Sequence, residues 1–177
     1  MRLKHMMEEI VSPMQSSIIP HRSTRGNILI LQEMVHSLRH SKNRKGGMIL
    51  KIDLEKAYHN VNWDFLQQTL NFFGFLDSLT KLIVFCVTCS QPSILGNREP
   101  LPHISPTCGL RQGDSLSPYL FALCTERLAY LIKEEVSRGD WNPIGVCRGG
   151  PMFSYLFFAD DLLFMAQASF LNVASIH

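Results

Sequence analysis

The chain has 177 residues, of which 46% are hydrophobic and 18% are charged, and its net charge is +2. This apolar content is enough for one sizeable core and excludes an intrinsically disordered chain. The charge is unevenly distributed, because residues 1–47 carry eight Lys or Arg against three Glu, whereas residues 48–177 carry nine against twelve acids. Such a division suits a protein that meets a polyanion with one part and holds cations with the other. Chance clustering on a solvated surface is the open alternative.

The five cysteines and the absence of a secretory signal indicate a reducing compartment. The longest uncharged stretches, residues 82–97 and 162–177, are 16 residues each and contain polar side chains. Neither therefore predicts a membrane span, and we expect no membrane partner.

The first predicted elements are a helix, a loop and a strand. Apolar residues at helical spacing predict a helix through ILILQEMVHSLRH, residues 28–40, with Asn27 as its N-cap. The basic stretch SKNRKGG, residues 41–47, predicts an exposed loop. MILKIDL, residues 48–54, is short, apolar and preceded by two glycines, which predicts a strand.

Helices dominate the middle of the chain. Asn62 is the predicted cap of a helix through WDFLQQTLNFF that stops at Gly74. Ser78 is expected to open the next helix, and residues 91–110, rich in Pro and Gly, are expected to be irregular. Ser117, followed by a proline, predicts the start of a helix that runs to about Val136.

Two apolar strand candidates, YLFF and LLFMA, are separated by Ala-Asp-Asp near the C-terminus, which predicts a β-hairpin with Asp160 and Asp161 at its turn. No Lys or Arg lies between Arg148 and the end of the chain, so the acids have no basic neighbour in sequence. The order of strand, helices and hairpin predicts an α+β fold with antiparallel pairing.

Asp53 also ends an apolar strand, and pairing of the two strands would bring it beside Asp160 and Asp161. Three close carboxylates repel one another unless a cation is present, and oxygen ligands of this kind suit Mg²⁺ or Mn²⁺. Two such ions are the arrangement used for in-line phosphoryl transfer. Simple exposure of each acid at a strand end remains the alternative.

Four ordered motifs resemble the reverse transcriptase domain of non-LTR (LINE-type) retrotransposons, most closely those of plants. KIDLEKAYHNVNWDFL (51–66) resembles the first catalytic palm motif, and FADD (158–161) resembles the second. GLRQGDSLSPYLFALCTERLAYLI (109–132) resembles the motif that contacts template and nucleotide, and residues 12–39 resemble the finger-to-palm segment.

The resemblance implies a partial right-hand polymerase fold, with a partial fingers segment at 1–47 and a partial palm with an antiparallel sheet and packed helices at 48–177. It also implies roles for individual residues. Asp53, Asp160 and Asp161 would be the catalytic metal ligands, and the carbonyl of Leu54 would assist them. The implied nucleotide-binding and template-binding residues are Tyr58, Arg111, Gln112 and Gly113, with Arg22 and Arg25 as further contacts to nucleic-acid charge. A core role for Tyr58 and a surface role for Arg111 remain open.

The implied reaction is RNA-directed DNA synthesis from an RNA template, a DNA primer and dNTPs, with two Mg²⁺ or Mn²⁺ ions as cofactors. The family implies an intracellular location, nuclear or cytoplasmic, and leaves the oligomeric state open.

Some positions depart from the family pattern: His59 stands at a usual Asp, Ser115 at a usual Pro, His21 at a usual Gly and Gly26 at a usual Asp. Upstream finger motifs and the thumb are not recognised, which suggests a truncated fragment with little or no polymerase activity on its own. The alternative function is that of a non-catalytic retrotransposon relic or nucleic-acid-binding fragment.

Overall fold

A computed structural model describes residues 3–16, 19, 21–40, 46–89, 92–147, 149–169 and 172. The helices are α1 (Leu3–Ile10), α2 (Thr24–His40), α3 (Trp63–Phe72), α4 (Asp77–Thr88) and α5 (Ser117–Arg138). The strands are β1 (Gly47–Asp53), β2 (Leu95–Gly96), β3 (Glu99–Pro100), β4 (Ile144–Gly145), β5 (Met152–Phe153), β6 (Tyr155–Phe158) and β7 (Asp161–Gln167). The chain divides into two compact units, residues 1–55 with 125–177 and residues 56–124.

The first unit is built on an antiparallel three-stranded sheet in the order β1-β7-β6. One face of the sheet packs on Ala129 and Ile132 of α5, and the other face packs on Met34 of α2. Because both faces are covered, residues 162–166 of β7 are all buried instead of alternating between core and solvent. The predicted hairpin and its pairing with the earlier strand are confirmed.

The second unit contains α3 and α4, which pack on each other through buried side chains that include Leu66, Leu70 and Ile83. The predicted cap of α3 is confirmed, since the Asn62 side chain accepts a hydrogen bond from the Phe65 N–H at 3.0 Å. Gly74 follows the helix with φ +75°, a left-handed conformation that glycine adopts without strain.

The predicted starts of two helices are corrected. Asn27 does not cap α2, because the helix begins at Thr24 and the buried Asn27 amide donates to the Met14 carbonyl instead. Ser78 does not open α4, which begins at Asp77 after Leu76 without a side-chain cap.

Two further boundaries differ from the sequence expectations. The long helix α5 runs to Arg138, two residues beyond the predicted end. The region expected to be irregular contains the small hairpin of β2 and β3. Residues 41–45 of the predicted basic loop lie outside the described residues. Within the described part of the chain, no helix is long and apolar enough to cross a membrane.

Candidate functional site

The acids of the first unit are brought together by the register of two strands. In the β1–β7 ladder Asp53 lies directly opposite Asp161, at the end of both strands. The turn between β6 and β7 holds Asp160, whose carbonyl accepts a hydrogen bond from the Leu54 N–H at 3.3 Å. Directly opposed residues of an antiparallel pair have Cβ atoms about 4.5–5.5 Å apart, so two like charges here are unfavourable without a cation.

Lys51 supplies a positive charge that was not predicted, because it lies far from the hairpin acids in sequence and reaches them only through strand pairing. Its Nζ lies 2.8 Å from Oδ1 of Asp161. Lys51 is two residues before Asp53 on β1, so strand alternation puts both side chains on the same face of the sheet. That spacing was the available signal.

The carboxylates fit a divalent cation in their donor chemistry, since all three are hard oxygen ligands. They also attract a cation in this structure, because the Lys51 ammonium stands beside them. Within the described residues, however, no three His, Cys, Asp or Glu side chains are grouped closely enough to hold a metal ion. The donor chemistry therefore fits a divalent cation, whereas the side-chain positions in the described residues do not form a closed metal site.

Arg22 does not point to an external phosphate, because its guanidinium group is used inside the first unit. It donates hydrogen bonds to backbone carbonyls at the end of α1 and just after it. The acceptors are the carbonyls of Glu8, Val11, Ser12 and Gln15, at 2.5 to 3.2 Å. A helix end exposes unpaired carbonyls, and a cation that satisfies them stabilises it. Arg22 is therefore a structural clamp, whereas Arg25 is exposed.

Tyr58 lies in the second unit, on the turn that follows β1. Its ring stacks on Phe121 of α5, with centroids 4.7 Å apart and planes 18° from parallel. Tyr58 is only partly buried, so its ring packs on the protein and still has a surface open to solvent. Stacking of this kind fixes the ring orientation.

The Tyr58 turn is fastened to the loop before α5. The Tyr58 carbonyl accepts from the Leu110 N–H at 2.7 Å, and the Val61 carbonyl accepts from the Gly109 N–H at 2.8 Å. The Trp63 indole N–H donates to the Gly109 carbonyl at 2.8 Å. These three bonds join two segments about 50 residues apart in sequence, and they define what we call the loop clamp.

The other candidate residues of the second unit follow this clamp. Arg111, Gln112 and Gly113 are all exposed. One Arg111 nitrogen donates to the Cys86 carbonyl at 3.3 Å. Gly113 has φ +88° with open space where a Cβ would stand, so its own backbone conformation already favours glycine.

The departures from the family pattern at His59 and Ser115 both lie on exposed positions of the second unit. The His59 carbonyl accepts a weak bond from the Cys108 thiol at 3.3 Å. The side chain of residue 59 is therefore not needed to make that contact.

Comparison with protein families gives a match over residues 1–170 to the family described as "Reverse transcriptase (RNA-dependent DNA polymerase)". An R2 retrotransposable-element Pol polyprotein of Popillia japonica is 27% identical over 80% of this chain and 22% of its own length. The transposon TX1 149 kDa protein of Xenopus laevis is 24% identical over 94% of this chain and 12% of its own length. A mitochondrial protein of Arabidopsis thaliana, itself uncharacterized, is 46% identical over 37% of this chain and 53% of its own length.

The fold is similar to that of a solved structure, telomerase from Candida albicans in complex with a fragment of telomeric RNA. The TM-score is 0.61 at 14% sequence identity, and the match covers 99% of this chain and 30% of that one. The chain thus spans about half or less of the length of the relatives it matches.

Reverse transcriptases are in general divalent-metal-dependent enzymes that act on nucleic acids. The family match covers residues 1–170, and the relatives from Popillia japonica and Xenopus laevis are named as proteins of a retrotransposable element and of a transposon. The chain belongs to the reverse transcriptase (RNA-dependent DNA polymerase) family, as a reverse transcriptase domain of the non-LTR retrotransposon type.

Proposed function

We propose that this chain carries the catalytic core of an RNA-directed DNA polymerase, with a fingers segment in residues 1–47 and a palm segment in residues 48–177. The observation that carries the proposal most strongly is the strand register that sets Asp53 opposite Asp161, with Asp160 in the adjoining turn. The substrates proposed are an RNA template, a DNA primer and dNTPs.

Asp53, Asp160 and Asp161 would hold two Mg²⁺ or Mn²⁺ ions, and the Leu54 carbonyl would assist. The bound ions would supply activation of the primer 3′-hydroxyl and stabilisation of the charge on the leaving pyrophosphate. The protein's contribution is to fix the positions of the ligands. Two strand ends joined by a regular hydrogen-bond ladder hold carboxylates more precisely than a free loop would.

Tyr58 is proposed to contact the sugar of the incoming nucleotide. Its ring is held by Phe121, and its carbonyl is bonded in the loop clamp. A fixed aromatic ring can exclude a 2′-hydroxyl group and so favour deoxynucleotides. Arg111, Gln112 and Gly113, in the exposed segment that follows the clamp, are proposed to contact the template and nucleotide.

The direct test is primer extension on an RNA template with Mg²⁺ or Mn²⁺, comparing the wild-type chain with Asp160→Asn. Incorporation by this chain alone should be low, and whatever is measured should need the divalent ion and fall at least about 100-fold in the variant, because loss of a charged ligand costs more than loss of an outer hydrogen bond. Asp140→Asn, which changes an exposed acid after α5, should retain full incorporation.

The outcomes separate the two functional alternatives. Equal incorporation by wild type and Asp160→Asn would contradict the assignment of the acids. Binding of RNA by the wild-type chain without any incorporation is the result expected of a non-catalytic nucleic-acid-binding fragment. The same assay tests the expectation that the chain alone has little or no activity.

A further inference from the structure

Lys51 is a cation built into the acidic end of the β1–β7 ladder. Its direct partner across the ladder is Leu163, so Asp161 is its diagonal neighbour on the same face. Diagonal positions are about 7–8 Å apart, a distance that a long side chain can bridge. The Lys51 ammonium bridges it, with Nζ 2.8 Å from Oδ1 of Asp161.

The ammonium interacts with all three acids. The hydrogen bond and the charge of Asp161 raise the pKa of Lys51 most, and the charges of Asp53 and Asp160 raise it further. Lys51 thus contributes one positive charge where the sequence places three negative ones. It lowers the mutual repulsion of the carboxylates without any bound ion.

A divalent ion held by the same carboxylates would stand close to this ammonium. Two cations at such a distance repel, and an Asp161 oxygen engaged by Nζ has less of its charge to offer to a metal.

We propose that Lys51 is an internal countercation, which occupies the carboxylate site in the absence of metal and has to be displaced when a divalent ion binds. The side chain therefore sets the metal affinity of the site. This inference rests on one part of the proposed function, which is the assignment of the three acids as metal ligands.

The experiment measures Mn²⁺ binding by the whole chain, with free Mn²⁺ followed by electron paramagnetic resonance at fixed ionic strength. Lys51→Gln keeps a polar side chain, one atom shorter than that of Lys, and removes its charge. We expect it to bind Mn²⁺ about three- to tenfold more tightly than wild type. Lys51→Arg, which keeps the charge, should bind no more tightly than wild type.

Lys81 provides a matched control. Its Nζ lies 2.7 Å from Oδ2 of Asp77, and both side chains are exposed, as in the Lys51–Asp161 pair. The pKa of Lys81 is likewise raised by its hydrogen bond to that aspartate. Lys81→Gln should leave Mn²⁺ affinity unchanged, because Asp77 has no second acid paired opposite it on a strand.

Thermal unfolding provides a second readout. In the presence of a metal chelator, Lys51→Gln should have a lower melting temperature than wild type, because the carboxylates lose their countercharge. Added Mn²⁺ should raise its melting temperature more than that of wild type. A purely structural ion pair would lower the melting temperature without any gain in Mn²⁺ affinity, and that result would overturn the proposal.

Asp53→Asn and Asp161→Asn distinguish failure of this inference from failure of the proposed function. If both variants lose Mn²⁺ binding while Lys51→Gln binds no more tightly than wild type, Lys51 is not a competing cation. The assignment of the acids as metal ligands is then retained. If neither variant changes Mn²⁺ binding, the assignment of the acids as ligands is wrong, and the role of Lys51 falls with it.

Discussion

Glu126 is a carboxylic acid in the interior of the first unit. It lies on α5 with no exposed surface. The nearest cation is Lys133, whose Nζ is 3.7 Å from Oε1. Burial raises the pKa of Glu126 to about 7, and the backbone N–H of Ser12 and the charges of Lys133 and Arg22 oppose this only in part.

The raised pKa predicts a loss of stability as pH rises. Between the unfolded value of 4.5 and the folded value of about 7, the folded state keeps a proton that the unfolded state has lost. The free energy of unfolding therefore decreases across this window and levels off above it. Relative to wild type, Glu126→Gln should become more stable between pH 4.5 and pH 8, by on the order of 2–3 kcal/mol.

Urea denaturation at several pH values measures this difference. Glu134→Gln, on the same helix but more than half exposed, is the control and should track wild type at every pH. A difference between Glu126→Gln and wild type that stays constant with pH would show that the buried carboxyl does not titrate in this range.

Helical spacing contained the information that Glu126 is buried. Residues 122 and 129, four before and three after it on α5, are fully buried alanines. Glu126 was not predicted as a buried acid, because an isolated Glu in a helix is usually solvated. Lys51 was missed for a similar reason, since its partner lies far away in the chain. In both cases the spacing gave the face on which the side chain lies, whereas the partner across that face came from a distant segment of the chain.

At the scale of elements, the loop clamp depends on a glycine. Gly109 has φ +98°, and a Cβ added there would lie 2.7 Å from the His59 carbonyl oxygen. Both the strained φ and the clash with rigid backbone oppose any side chain at this position. Gly109 was part of a recognised motif, but the steric requirement for glycine at this position is seen only in its contact with His59.

Gly109→Ala is therefore expected to lower the free energy of unfolding by about 3 kcal/mol or more, since the carbonyl cannot move without breaking the clamp. Gly139→Ala is the matched control: Gly139 also has a positive φ, +86°, but has no heavy atom within 4 Å of the added Cβ. It should lose only about 1 kcal/mol. Chemical denaturation of both variants checks this, and equal losses would contradict the steric explanation.

Long elements were more predictable than short ones. The helices α3 and α5 and the β6–β7 hairpin were expected within a few residues, because periodic apolar residues, an Asn cap and a Gly stop all agree. The β2–β3 hairpin was missed because two-residue strands have no period to detect. Its turn residues Asn97 and Arg98 both have positive φ, at +52° and +71°, as in type I′ turns, although Arg is an unusual residue there.

At the scale of the whole molecule, apolar side chains remain exposed on α4 and at its start. Leu76, just before the helix, is 75% exposed, and Leu82 and Phe85 are 57% and 64% exposed. The spacing of three residues between Leu82 and Phe85 places these two on neighbouring parts of the helix surface. Exposed apolar surface favours association.

We expect the double variant Leu82→Glu with Phe85→Glu to reduce self-association, because two charges replace the exposed apolar contact surface. Light scattering coupled to size-exclusion chromatography measures the mass over a range of concentrations. The control introduces the same two charges at Gln67 and Gln68, which are exposed polar positions on α3. An equal reduction in both double variants would attribute the effect to net charge and not to the apolar surface.

The α+β class of the molecule was predictable from the order of its elements, and its family from four ordered motifs. The division into units was less predictable, because one unit is formed by both ends of the chain and the other by its middle. Contacts between segments more than 100 residues apart, such as the β1–β7 ladder, close the first unit.

Because β1 pairs with β7 residue for residue, the number of residues in the strand matters as much as their identity. Side chains alternate between the two faces, so loss of a single codon between Met48 and Ile52 would turn either Asp53 or the residues before it to the opposite face. Every residue of FADD, and the Ala57-Tyr58 pair that follows β1, would survive such a deletion. For genomic copies of an element like this one, an in-frame deletion in the strand is therefore as damaging as replacement of the aspartate itself.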